Sequence, residues 1–100
     1  MEGNMASYLI FSREKTLDSK ELSIYSSQVP ATLAGHEVKT LAFYGPHQDL
    51  EGAPSEGIVV LEFPTNKAAM AWYNSPSYRE VREHRFTGAD FRVALVEGVQ

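Results

Sequence analysis

Cysteine is absent from the 100-residue chain. That excludes disulfides, zinc–thiolate centres and a thiol nucleophile. Long apolar runs are missing as well: none approaches the roughly 18 residues that mark a membrane span. The start, Met1-Glu2-Gly3-Asn4-Met5, lacks the basic and apolar regions of a secretion signal. A cytoplasmic protein with no membrane partner is the expectation. Positive charge is sparse. Nine Lys and Arg face thirteen Asp and Glu, for a net charge of −4, and the pI is about 5.3. The basic residues are scattered and form no run that could displace phosphate counterions, so no nucleic-acid partner is expected. The three histidines show no metal-ligand spacing. The glycines form no phosphate-binding pattern. Neither a metal nor a cofactor is predicted.

What remains is an ordinary globular composition, 43% hydrophobic and 22% charged. The length fits one domain with one modest core. Residues 1–6 read as a tail and residues 7–100 as the domain.

Alternation marks the first strand at residues 7–13, with Leu9, Phe11 and Arg13 on one side and Tyr8, Ile10 and Ser12 on the other. Thr16 to Ser19 carry helix-capping chemistry. A helix from Ser19 then presents Leu22, Tyr25, Val29 and Leu33 on one face. Pro30 removes an N–H inside it and predicts a kink or break, with Gly35 as the end. Residues 37–43 form a second strand and Gly45-Pro46 a turn. A short strand is expected at 48–51, then a loop over 52–57. Residues 58–63 are almost entirely apolar and suit a central strand. Pro64 and Thr65 open a second helix. Ser75-Pro76 opens a third, with Ser as cap and Pro at the first helical position, running to about Arg85. A last strand covers 91–97. The order β-α-β-(β)-β-α-β predicts an α+β fold: a ferredoxin-like split β-α-β with an antiparallel sheet and helices on one face.

Several stretches carry a resemblance. Leu50-Glu51-Gly52, Val60-Leu61-Glu62-Phe63-Pro64, Ala69, Ala71-Trp72-Tyr73-Asn74-Ser75, Tyr78, Arg85 and Val96-Glu97-Gly98-Val99 stand in an order and spacing similar to the bacterial family called domain of unknown function 1330. The chain departs from it in carrying Ala34-Gly35 where the family has a glycine pair, and in a longer stretch from Gly35 to Glu51. The resemblance implies a homodimeric α/β barrel in which two sheets pack face to face. The wider relatives include cofactor-free monooxygenases, isomerases and lyases, alongside proteins without known activity. Fold alone does not fix function.

In such a barrel the strand at 58–63 would turn Val59, Leu61 and Phe63 to the helices. Glu62 would then share the interior face with Ile58 and Val60. An inward carboxylate suits a general base or a substrate anchor, or a structural ion pair. Tyr78, Val81, Arg82 and Arg85 share a helix face. Arg85 could clamp an anionic substrate or form a salt bridge to Glu51 or Glu62. His36, at the start of the second strand, is either an acid–base residue or a polar turn residue. His84 is expected toward solvent. Glu62, His36 and Arg85 are the candidate catalytic residues; Tyr73, Tyr78, Trp72 and Glu51 are the candidate ligand-binding residues, with Trp72 also suited to the core. Two function classes stay open. One is a cofactor-free enzyme on a small organic molecule, with an anionic one as an option, held in a pocket between sheet and helices. The other is a non-catalytic ligand-binding or accessory homodimer.

Overall fold

Strand alternation and helix capping set the local structure, and the loops then stack the helices on one side of the sheet. The computed structural model describes residues 5–99. Residues 1–4, most of the expected tail, lie outside them. Strand β1 (Ser7–Thr16) leads into α1 (Ser19–Leu33), β2 (Lys39–Phe43) and β3 (Gly57–Phe63). Two helices, α2 (Asn66–Tyr73) and α3 (Pro76–Gly88), precede β4 (Ala89–Glu97). The sheet order is β2-β3-β1-β4, and every pairing is antiparallel. This is the ferredoxin-like split β-α-β arrangement. Among the described residues no helix is long and apolar enough to cross a membrane.

Each helix begins where a side-chain oxygen caps it. Asp18 accepts from the Lys20 and Glu21 amides (3.1 and 3.3 Å). Thr65 accepts from Ala68 N–H (3.0 Å), and Ser75 from Tyr78 N–H (3.3 Å), with Pro76 in the first turn.

Three local expectations change. First, α1 continues through Pro30 to Leu33. Buried Tyr25 and Thr32 anchor it on either side of the proline, and packing at both ends outweighs one missing backbone hydrogen bond. Gly35, at φ 83°, then reverses the chain. Second, no strand forms at 48–51. The segment has no neighbour to pair with, and side chains clip the loop instead. His47 Nε2 lies 3.0 Å from the Ser55 carbonyl, and Ser55 Oγ donates to Asp49 (3.0 Å). Third, α3 passes Arg85 and ends at Gly88, whose carbonyl accepts from the Leu17 and Asp18 amides (2.8 and 3.0 Å). A Cβ at Gly88 would stand 2.9 Å from Leu22 N, so the glycine permits this close seam. The ends of β1 and β4 shift too. β1 continues past a bulge to Thr16 because Lys15 and Thr16 pair with Asp90 and Ala89, which brings β4 forward to Ala89.

The core lies between the sheet and the helices. Leu9, Phe11, Val59, Leu61 and Phe63 point up from the sheet to meet Leu22, Tyr25, Trp72, Tyr78 and Val81. The other face carries Ile10, Ile58 and Val60, half-buried, and the exposed Val96. No described helix covers it.

Candidate functional site

The helices do not cover the sheet evenly. Strand β2 forms the edge, and all five of its residues are exposed. Thr40 pairs with Leu61 and Phe43 with Val59, so both side chains turn to the helix side. Little rests on them there, and Phe43 keeps 65% of its surface exposed. The gap between α1 and this half of the sheet is a cavity of about 360 Å³. Its floor is Phe11, Val59 and Leu61; its roof is the Tyr25–Val29–Leu33 face of α1; Trp72 and Phe91 close the inner end.

The polar groups at the cavity are hydroxyls. Thr40, Ser26, Tyr25 and Tyr44 line it, and no Asp, Glu, His or Lys does. Tyr44 takes a left-handed backbone (φ 53°), a conformation that costs a side-chain-bearing residue roughly 1–2 kcal/mol. Its N–H donates to the Ile58 carbonyl (2.9 Å). The ring can lie flat there because position 57 is glycine; a Cβ at Gly57 would come within 2.8 Å of Tyr44 Cε1. On the outer side the Arg13 guanidinium stands 4.8 Å from the ring centroid, and Glu56 holds Arg13 (3.1 Å).

At the inner end lies an aromatic cluster around one cation. The Tyr25 and Tyr78 hydroxyls meet at 2.7 Å. Tyr78 packs on Trp72, centroids 4.0 Å apart, and Tyr73 lies 5.6 Å from Tyr78. Arg85, only 3% exposed, stands behind the cavity wall. Its guanidinium lies 5.8 Å from the Phe11 ring, 6.0 Å from Tyr25 and 5.3 Å from Phe91. Its Nη2 donates weakly to Tyr73 Oη (3.4 Å), while Nε has no hydrogen-bond partner. Among the described residues Arg85 joins no ion pair. Burial pushes the Tyr25 phenol well above its ordinary pKa, and the adjacent Tyr78 adds to this. Burial raises Tyr44 and Tyr78 as well, with the Arg13 charge pulling Tyr44 back and the Arg85 charge pulling both back. All three phenols therefore stay protonated at neutral pH and can donate.

Of the residues singled out in sequence, Arg85, Trp72, Tyr73 and Tyr78 converge at this inner end, and Trp72 also lines the cavity. The other three lie elsewhere. Glu62 is half-buried on the open face, opposite Tyr8 on β1 and Lys39 on β2. The sheet stands between it and Arg85, so the expected pocket shared by Glu62 and Arg85 does not form. Glu51 is exposed in the loop after β2, and the bridge from Arg85 to Glu51 or Glu62 is absent. His36 sits in the turn after α1, its N–H on the Leu33 carbonyl (3.0 Å), outside the cavity wall. His84 is turned from solvent to Glu21 (2.8 Å). Among the described residues no three His, Asp or Glu side chains form a metal-binding group.

Sequence reasoning missed Tyr25 and Tyr44 as site residues. Tyr25 reads as one more apolar position of α1. The signal for Tyr44 is Gly57, fourteen residues later in the chain than Phe43, and only strand pairing connects them.

Fold and site together define a ferredoxin-like α+β protein with an apolar, hydroxyl-lined cavity beneath its first helix. The chain belongs to the family described as Domain of unknown function (DUF1330), whose profile matches residues 6–99. No curated protein matches it. Among solved structures it is similar to a protein of unknown function from Rhodopseudomonas palustris, at 14% identity over 97% of this chain and 85% of that one, TM-score 0.77. A dimeric ferredoxin-like protein of unknown function from Thermobifida fusca is 12% identical over 95% and 92%, TM-score 0.65. SnoaB, a cofactor-independent oxygenase from Streptomyces nogalater, is 9% identical over 96% and 95%, TM-score 0.66. At these identities the likeness concerns the fold.

Proposed function

We propose that this protein binds a small, largely apolar organic molecule in the cavity between α1 and the sheet, and that it does so as a homodimer. The cavity carries the reading. At about 360 Å³ it falls within the usual size range of small-molecule sites. Its walls are aliphatic and aromatic, with a few hydroxyls to orient a guest. Tyr25, Tyr44 and Trp72 make direct contact in this reading, and Tyr73, Tyr78 and Arg85 support them from behind. Glu62 belongs to the dimer face and not to the ligand site; His36 and Glu51 have no part in binding.

Cofactor-free oxygenation, the activity of SnoaB, is the second reading, and one feature favours it. A substrate acidic enough to lose its proton to solvent water needs no base from the wall, only donors and positive charge to hold the resulting enolate, which dioxygen then oxidises. Tyr25, Tyr44 and Arg85 are placed to supply these. Ligand capture without turnover needs nothing further and is the main conclusion.

Trp72 is the only tryptophan and lines the cavity, so its fluorescence reads occupancy directly. Titration with 4-nitroanisole, a neutral aromatic quencher, should give saturable quenching, corrected for absorbance. Val29→Phe, which fills the roof, should abolish saturation while leaving the circular dichroism unchanged. Linear, collisional quenching in both proteins would remove the cavity as a binding site.

A further inference from the structure

We infer that the cavity takes its guest as an anion, a phenolate, enolate or carboxylate on an apolar frame, with buried Arg85 as the counter-charge. This rests on the cavity being the ligand site. The two arginines near the cavity make the argument by contrast. Arg13, on the outer side of Tyr44, is neutralised by Glu56 at 3.1 Å. Arg85, at the inner end, is 3% exposed and joins no ion pair among the described residues. An arginine side chain stays charged across the working pH range. A buried charge is normally paired or richly hydrogen-bonded, because desolvation is costly. Arg85 has five N–H donors, yet among the described residues its side-chain partners are neutral phenols, Tyr73 at 3.4 Å and the adjoining Tyr78, and its Nε, like that of Arg13, is unsatisfied.

The groups around Arg85 come from several elements, and among the described residues no carboxylate lies within ion-pair distance of it. Tyr25 belongs to α1, Tyr44 follows β2, Tyr73 belongs to α2 and Tyr78 to α3. The Phe11, Phe86 and Phe91 rings complete the shell at 5.0 to 5.8 Å. Aromatic faces attract a cation but do not cancel its charge. The positive field therefore reaches the cavity through Phe11, Tyr25 and Phe91, which are at once the shell of Arg85 and the cavity wall. The protein walls weaken it less than bulk water would. An anion entering beside Tyr25 would accept a hydrogen bond from a wall hydroxyl and complete the missing charge pair.

The experiment pairs 4-nitroanisole with 4-nitrophenol, which has the same frame and an acidic hydroxyl that ionises near neutral pH. Trp72 quenching reads affinity, and visible absorbance reads the ionisation of the bound phenol. An apolar cavity with no counter-charge raises the pKa of a bound phenol. Arg85 should reverse this. The bound pKa should fall by about one unit, equivalent to roughly tenfold tighter binding of nitrophenolate than of nitrophenol. Arg85→Met should lose that preference and still bind 4-nitroanisole; should it fail to fold, the direction of the wild-type shift decides alone. If wild type binds 4-nitroanisole but raises the pKa of nitrophenol, the anion inference falls and the cavity remains a ligand site. If neither compound binds saturably, both fall.

Discussion

Trp72 joins core and cavity in one side chain. It has no exposed surface. Its ring stacks on Phe63 at 5.8 Å, packs at a tilt against Tyr78 at 4.0 Å, and meets Phe11 edge-on at 6.4 Å. The indole N–H is satisfied by Thr32 Oγ1 (3.1 Å), which ties α2 to the end of α1. Trp72→Ala should therefore cost about 3–5 kcal/mol, a large share of the roughly 5–15 kcal/mol available to a domain. A steep drop in the urea midpoint is the expected result. A midpoint near wild type would mean that Trp72 serves the cavity and not the core. The aromatic character of positions 72, 73 and 78 is legible in the sequence, as is their helical context. That Trp72 belongs to the core and also borders the cavity depends on how α1 lies over the sheet, and helical periodicity does not report it.

Helices α1 and α3 lie along each other, and the Tyr25–Tyr78 hydroxyl pair is a polar tie between them. Both phenols ionise in the folded protein above their ordinary value of 10.0, chiefly because of burial. The sign follows from proton counting. Above pH 10 the unfolded chain has released protons that the folded chain still holds, so rising pH favours unfolding. The stabilisation is complete below that pH and is lost as pH rises through the folded values. The melting temperature should stay nearly level from neutrality to about pH 9 and fall steeply beyond about pH 10. Tyr25→Phe with Tyr78→Phe should flatten that fall. An equally steep decline in the double variant would place the alkaline transition elsewhere. At this scale the sequence reading is right about caps and wrong about interruptions. Asp18, Thr65 and Ser75 act within one turn of themselves, so they can be read locally. Whether Pro30 breaks α1 depends on Tyr25, Thr32 and Trp72, and whether 48–51 becomes a strand depends on a neighbouring strand that is not there.

At the scale of the whole molecule, one sheet face carries no helix among the described residues. Ile10, Ile58, Val60 and Val96 lie on it, and Glu62 sits opposite Lys39 at its β2 side. A second copy would cover this apolar surface. Light scattering should give a mass near 22 kDa, twice the 11.1 kDa of one chain. Val60→Glu, which sets a charge at the centre of the face without touching the helix side, should yield monomers. A wild-type mass of 11 kDa at micromolar concentration would overturn the dimer.

The sequence by itself determined the α+β class, the positions of the four strands that form, the starts of the helices and the apolar face each presents. Those properties repeat every two residues in a strand and about every 3.6 in a helix, so a short window contains them. It also marked Arg85, Trp72, Tyr73 and Tyr78 as residues of interest. Only the tertiary structure decided which of the marked residues meet. Alternation correctly put Glu62 on the face away from Leu61 and Phe63, and helical spacing correctly grouped Arg85 with Tyr78 and Val81. Neither period says on which side of the sheet α3 will lie relative to Glu62. That is set by the sheet order and by the crossover loops. They put the sheet between the carboxylate and the guanidinium, and left Arg85 among tyrosines, in no ion pair among the described residues.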